Sequence, residues 1–300
     1  METRRVHLVD AFAEEPLSGN VAGVVPDADG LVDDQLQAIA AELGASETAF
    51  LFPSAAADRR IRYFTPETEV DLCGHATIAS HGLLAGNGTL EPGVYTLETN
   101  VGVLEIELEA DGTVWMAGEE PSVRQVDPDY DRFADALGID PAALSDIGAD
   151  LPIAVASTGL AFLVVPVAFL ESLGDASPDF EAIEELSAAY DVAGVYAFTF
   201  DTLSGESTLH ARMFAPAVGV PEDPVTGTAS GACGAYLDHV GAFDGDAPAE
   251  LRFEQGHFLD RGGIARVRLE NGIHVGGTTV ESLEGSIAIP GPDEDDIIEL

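Results

Sequence analysis

The segment Arg62-Tyr63-Phe64-Thr65-Pro66 returns 150 residues later as Arg212-Met213-Phe214-Ala215-Pro216, and each copy leads into a glycine turn and a helix. An internal repeat at half the chain length constrains the fold more than any single motif, because both copies must be built from the same elements in the same order. The first turn reads Asp71-Leu72-Cys73-Gly74-His75-Ala76-Thr77, and small residues with Leu83 and Leu84 continue it as a buried helix. The second reads Glu222-Asp223-Pro224-Val225-Thr226-Gly227-Thr228-Ala229 and runs on into SGACGAYL.

The surroundings repeat as well. After each helix come three strand-like runs, VYTLET, GVLEIELEA and TVWMAG in the first half and ELRFEQG, IARVRLE and IHVGG in the second. Before each comes a helix with apolar residues at three- and four-residue spacing, then a strand: LVDDQLQAIAAELG before ETAFLFP, and DFEAIEELSAAYD before VAGVYAFTF. The expectation is a duplicated α+β lobe, with the break near Gly118 to Pro128, where acidic residues and prolines interrupt the strands. Residues 1–118 with 278–300 then form an N-terminal lobe and 119–277 a C-terminal lobe. At 300 residues and 46% hydrophobic content, the chain can bury two cores. If the lobes are related by pseudo-two-fold symmetry, the two glycine turns face one cleft.

Charge narrows the partners. Acidic residues number 54 against 12 basic ones, all of them arginine, for a net charge of −42. Such a chain repels phosphate backbones and anionic headgroups, so neither nucleic acid nor a membrane surface is an expected partner. With ordinary hydrophobic content this composition reads as adaptation to a very salty cytosol, where dissolved ions screen self-repulsion. Leu151 to Leu170 carries no charge and is long enough to span a bilayer. Pro152, Pro166 and the Ser157-Thr158-Gly159 cluster divide it, which predicts two buried strands joined by a turn. Cys73 and Cys233 are far apart and not in a metal-type pair, so neither a disulfide scaffold nor a zinc site is indicated. The opening METRRVHLVDAF has no apolar secretory stretch, and a cytoplasmic protein is expected.

Glycine turns entering helices offer unpaired backbone N–H groups and the positive end of the helix dipole, which suits a substrate carboxylate or a developing enolate. Glu47 follows a helix and opens an apolar strand, which draws its carboxylate toward the interior as a candidate proton carrier. A solvated strand-end carboxylate is the plainer reading of the same position. His75 directly follows Gly74 and could hydrogen-bond a substrate, steer a proton or simply cap the helix. Asp223 could hold a substrate amine or hydroxyl, or cap its own turn. No Walker-type loop, no strand-anchored G-x-G-x-x-G and no H-E-x-x-H occurs.

Ala45-Ser46-Glu47-Thr48-Ala49-Phe50, Leu72-Cys73-Gly74-His75-Ala76-Thr77 and the Glu222–Ala229 segment resemble signatures of the phenazine-biosynthesis PhzF family, in the family's order. Val9-Asp10-Ala11-Phe12, Gly19-Asn20-Val21-Ala22-Gly23-Val24-Val25 and Ser157-Thr158-Gly159-Leu160 are similar too, so the resemblance covers nearly the whole chain. It implies an α+β, diaminopimelate epimerase-like fold: two pseudo-symmetric lobes, each a mostly antiparallel sheet wrapped around a central helix, with the site between them. It also implies a cofactor-free isomerase, commonly a homodimer, acting on a small carboxylate-bearing molecule. Glu47 stands where the family's glutamate removes and returns a proton. The resemblance implies that His75 and Asp223 are the other catalytic positions, and that Ser46, Gly74, Gly227, Thr228 and Asn20 are substrate-binding positions. Relatives on the same fold place one cysteine at each glycine turn and racemise amino acids. Here Cys73 stands at the first place, but the second turn carries Thr226-Gly227-Thr228, with Cys233 several residues down the helix. A one-cysteine dehydratase using Cys73 and a non-catalytic binding protein are the other readings. His7, His81, His210, His239, His257 and His274 receive no role.

Overall fold

The computed structural model describes residues 2–145, 147, 151–243, 245 and 247–289. It divides into two compact units, one of Met1–Leu17, Val21–Val114 and Thr278–Leu300, the other of Ser18–Asn20 and Trp115–Gly277. Of the stretch 278–300 placed by sequence in the first lobe, residues 290–300 lie outside the described residues.

In chain order the first unit carries β1 (Glu2–Ala11), β2 (Asn20–Val25), α1 (Asp33–Leu43), β3 (Thr48–Phe52), β4 (Arg59–Phe64), β5 (Glu69–Val70), α2 (Gly74–Gly86), β6 (Gly93–Thr99) and β7 (Gly102–Leu108). β8 (Val114–Ala117) begins in it and ends in the second. The second unit holds β9 (Ser122–Gln125), α3 (Tyr130–Leu137), α4 (Ala142–Ser145), β10 (Ala154–Ser157), β11 (Ala161–Pro166), α5 (Leu170–Gly174) and α6 (Phe180–Tyr190). It continues through β12 (Gly194–Thr199), β13 (Leu209–Ala215), β14 (Val220–Asp223), α7 (Gly227–His239), β15 (Glu250–Gln255), β16 (Gly263–Arg268) and β17 (His274–Gly277). β18 (Thr279–Ile289) belongs to the first unit.

The two units pair their strands alike. In the first, β1–β18, β3–β4, β4–β5 and β6–β7 are antiparallel, while β2–β3 and β4–β6 are parallel. In the second, β9–β10, β10–β11, β12–β13, β13–β14, β15–β16 and β16–β17 are antiparallel, while β11–β12 and β13–β15 are parallel. The parallel pairs fall where a helix intervenes: α1 between β2 and β3, α2 between β4 and β6, and their counterparts α6 and α7. A parallel pair requires such a crossover. The expected class, α+β with mostly antiparallel sheet around a central helix, therefore holds in each unit. The uncharged stretch is β10 and β11 joined by a turn, as predicted. Among the described residues no helix is long and apolar enough to cross a membrane.

α1 shows why these helices form where they do. Leu36, Ile39 and Ala40 are buried on one face, and Asp33 and Asp34 sit in the first turn, where the dipole favours negative charge. It ends at Gly44 in the left-handed region (φ 65), whose amide donates to the Ala40 carbonyl. The central helices obey a different rule. Ala76 through Leu84 in α2 and Ala229 through Leu237 in α7 are buried on every side. Such helices need small residues for strands to approach closely. A Cβ at Gly82 would collide with the Thr279 side chain of β18, and one at Gly234 would stand 2.7 Å from Val267 of β16.

The sequence echo itself is a brace. Arg62 of β4 donates from Nε and Nη2 to both Glu69 oxygens, each at 2.7 Å, and its guanidinium lies 5.1 Å from the Phe64 ring centre. Arg212 of β13 does the same to Glu222 at 2.8 Å and lies 4.9 Å from the Phe214 ring centre. In both units this bidentate pair fixes the hairpin that leads to the glycine turn.

Candidate active site

The first unit's turn gathers three kinds of functional side chain. Glu47 stands between Gly44 and β3, and its carbonyl accepts the Gly23 amide of β2 at 2.9 Å. That close approach needs glycine, since a Cβ at Gly23 would collide with the Thr48 side chain. Anchored there, the Glu47 carboxylate brings Oε2 to 3.4 Å from His75 Nε2. Ser46 Oγ lies 3.3 Å from the same nitrogen, and Cys73 Sγ lies 3.4 Å from His75 Nδ1 on the other side of the ring. The His75 and Glu47 side chains retain 12% and 24% of their exposure, so both are partly shielded yet reachable. Ligand-type atoms of Glu47, Cys73 and His75 all lie within 4.8 Å of one another.

α2 starts directly behind this group. Cys73 precedes it in extended conformation (φ −141, ψ 114) without a capping side-chain hydrogen bond, and no acid stands in the first turn. The leading amides at Gly74 and His75 thus present donors at the positive end of the helix. The turn is anchored from beneath: Thr77 Oγ1 donates to the Cys73 carbonyl at 2.8 Å, and Tyr63 Oη lies 2.6 Å from that hydroxyl. Burial pushes the Tyr63 phenol far up, so it stays protonated as a structural pin.

A neutral imidazole has one donor and one acceptor nitrogen. When Nε2–H donates toward Glu47, Nδ1 accepts from the Cys73 thiol. When Nδ1–H faces a thiolate, Nε2 accepts from a protonated Glu47 or from the Ser46 hydroxyl. His75 can therefore pass a proton between groups on its two sides.

In the second unit, Asp223 ends β14 and is fully engaged within the turn. Its Oδ1 accepts from Asn20 Nδ2 at 2.9 Å and its Oδ2 from the Thr226 hydroxyl at 2.5 Å. Asn20 also donates to the Val225 carbonyl at 2.9 Å and is only 3% exposed, so its amide braces the turn from within. Gln255, at the end of β15, donates to the Asp223 carbonyl at 2.8 Å and accepts the Thr226 amide at 3.2 Å. Behind the turn, Ser230 Oγ donates to the Thr226 carbonyl at 2.9 Å and stands 3.2 Å from Tyr196 Oη, repeating the Tyr63–Thr77–Cys73 arrangement. Gly227 opens α7, and Thr228, exposed, accepts the Thr158 hydroxyl at its carbonyl at 3.4 Å.

Thr226 thus occupies the place that Cys73 holds in the first unit, each the extended residue immediately before a buried 13-residue helix. Cys233 lies inside α7 with no exposure, and burial pushes its thiol well above the usual range. It is inert packing.

Three features were not visible in sequence. Gln255 had no motif to mark it. The spacing of Cys73 and Cys233 carries no metal signal, whereas in the fold Glu47, from another element, joins Cys73 and His75. Third, His210, given no role, is wholly buried and paired with Glu254 at 3.0 Å, while Glu254 also accepts the Leu203 and Ser204 amides at 2.8 Å. Burial pushes the His210 imidazole down despite that carboxylate. Burial opposes the Glu254 charge too, but the two amides and its neighbours hold it below the usual carboxylate value. The pair fastens the 200–207 loop.

The family model described as phenazine biosynthesis-like protein, PhzC-PhzF, matches residues 9–286. The uncharacterized isomerase YfhB of Bacillus subtilis is 39% identical over 281 residues, covering 92% of this chain and 94% of that protein. The uncharacterized isomerase YddE of Escherichia coli K12 is 38% identical over 272 residues, covering 88% and 89%. Among solved structures, the PhzF-family phenazine biosynthesis protein of Bacillus anthracis superposes with a TM-score of 0.86 at 34% identity, covering 96% of this chain and 100% of that one. The repeated sheet-around-helix units, the Glu47–His75 turn and these matches agree: the chain belongs to the PhzC/PhzF family and is an isomerase.

Proposed function

We propose that this isomerase moves a proton on a small carboxylate-bearing metabolite without a cofactor, with Glu47 as the general acid and base. The observation that carries the reading is the Glu47 carboxylate standing 3.4 Å from His75 Nε2 at the mouth of an uncapped helix. A carboxylate there accepts a proton from an acidic C–H, His75 orients it and relays the charge, and the amides at Gly74 and His75 receive the negative charge that develops on the substrate. Ser46 holds His75 or a substrate oxygen through its hydroxyl. In the second unit's turn Asp223 is the further catalytic candidate and Gly227 and Thr228 are the substrate-binding ones, whereas Asn20 gives its amide to Asp223 and Val225 and, with Gln255, holds that turn rigid.

The test is wash-in of solvent deuterium into small carboxylates bearing an acidic C–H, followed by proton NMR in deuterated buffer. The wild-type chain exchanges one position of its substrate, and Glu47→Gln loses at least about 100-fold of that rate, the usual worth of a positioned acid–base group. Undiminished exchange in Glu47→Gln would falsify the assignment.

One observation favours a second reading, in which Cys73 is the base: its sulfur lies 3.4 Å from His75 Nδ1, a neighbour that can take the thiol proton. A two-thiol racemase has no support, because Thr226 fills the second position and spends its hydroxyl on Asp223. A one-cysteine enzyme predicts the reverse mutational pattern, with exchange retained in Glu47→Gln and lost in Cys73→Ser.

A further inference from the structure

The first unit's turn offers a soft sulfur, an imidazole nitrogen and a carboxylate oxygen within one small volume. We propose that Glu47, Cys73 and His75 form a three-ligand site for a thiophilic divalent cation of the Zn2+ class, and that the bound cation inhibits the enzyme. The inhibitory half rests on the reading of Glu47 as the proton carrier; the binding half does not.

Thiolate, imidazole and carboxylate are the donors such cations choose, and three protein ligands leave a fourth position for water or a substrate oxygen. With metal–ligand bonds of 2.0–2.3 Å, ligand atoms around a tetrahedral centre stand about 3.3–3.6 Å apart. Cys73 Sγ to His75 Nδ1 and Glu47 Oε2 to His75 Nε2, both 3.4 Å, each have that spacing but run to opposite nitrogens of the ring. One imidazole nitrogen must serve both neighbours. Since the three ligand atoms lie within 4.8 Å of one another, closing on a cation asks for movement of about 1 Å, within reach of a ring rotation and the Glu47 torsions. Cys73 and His75 are held near each other by the start of α2, and Glu47 reaches them from the residue that precedes β3.

Two further properties favour occupancy. The net charge of −42 raises the local concentration of any cation near the surface. The partial exposure of Glu47 and His75 gives the ion a route in. On binding, the Cys73 thiol gives its proton to solvent, and the metal takes the electron pairs of the carboxylate and the ring nitrogen. Those are the pairs that Glu47 and His75 need to receive a proton, so a chain holding the cation cannot turn over.

The experiment is anaerobic titration of the full chain, first stripped with chelator, with Co2+ as a spectroscopic probe. A near-ultraviolet sulfur-to-cobalt charge-transfer band, saturating at one ion per chain and displaced by Zn2+, is the expected result. Carboxylates elsewhere on the surface cannot produce that band. Cys73→Ser abolishes it, Cys233→Ala keeps it, and His75→Ala weakens Co2+ binding by at least about 10-fold, the lower bound for loss even of an outer-shell partner. Absence of the band in wild type, or its survival in Cys73→Ser, overturns the site. Deuterium wash-in by the same samples separates the two ideas. A band together with undiminished exchange in Glu47→Gln refutes the inhibitory half and leaves the binding half standing. No band, with exchange lost in Glu47→Gln, refutes the site and leaves the proton-transfer reading intact.

Discussion

His81 gives the most quantitative expectation. It lies in the middle of α2, 2% exposed, with Nδ1 2.9 Å from the Thr77 carbonyl, so the ring is a neutral donor inside the first unit's core. Burial pushes its pKa down to about 4 from the ordinary 6.5. The folded state therefore resists protonation while the unfolded chain accepts it, and stability is complete above the unfolded value and falls as pH drops through it toward the folded one. Between about pH 7.5 and about pH 5.5 the unfolded histidine becomes mostly charged and the folded one stays neutral, which removes about 1.4 kcal/mol of stability. Nearly all of that is set by the unfolded value, because the folded ring hardly titrates in this window. His81→Gln keeps an N–H donor for Thr77 and removes the titration. Urea unfolding at fixed molar KCl, followed by circular dichroism, is run on both proteins at the two pH values, which stay above the sequence pI of 4.1. The transition shifted by the substitution loses about 1.4 kcal/mol more in wild type than in the variant on acidification. Parallel losses would mean that His81 is not held neutral by the fold, and the reasoning about this helix would fail.

Arg212→Lys keeps the charge but gives up the fork that holds Glu222 and the carbonyls of Leu173 and Ala176, so it destabilises by about 2–3 kcal/mol in urea unfolding. Arg62→Lys makes the comparable change where the side chain is 18% rather than 9% exposed, and costs less; equal costs would contradict the burial argument. Dissolved KCl near molar concentration shortens the screening length to about 3 Å and relieves the repulsion of 54 acidic residues against 12 arginines. The melting temperature therefore climbs steeply with KCl, and a flat response would remove the reading of a salt-adapted chain.

Much of the architecture was legible before any coordinates. Alternation and three-to-four spacing are local signals, and they placed α1, α6 and the strands that follow them, while glycine turns running into small residues marked the two buried helices. Pro152, Pro166 and the Ser157–Gly159 turn marked Leu151 to Leu170 as paired strands, because ring geometry and turn residues act on the backbone where they stand. The Arg62 and Arg212 echo announced the duplication, and the ordered motifs singled out Glu47 and His75, which the fold brings to 3.4 Å.

The partners belong to another level. Asn20, a substrate-binding position by resemblance, is a brace on Asp223, 203 positions away. Gln255 reaches the same turn from β15, and His210 meets Glu254 through the parallel register of β13 and β15. Cys73, far from Cys233 and without a metal-type spacing in the sequence, acquires an imidazole on one side and joins a carboxylate from a different element. Local sequence determined which segments become helix, strand or turn, since propensity and periodicity act over a few residues. Tertiary structure alone decided which side chains meet, because a register or helix rotation chosen by packing the whole core moves every partner at once.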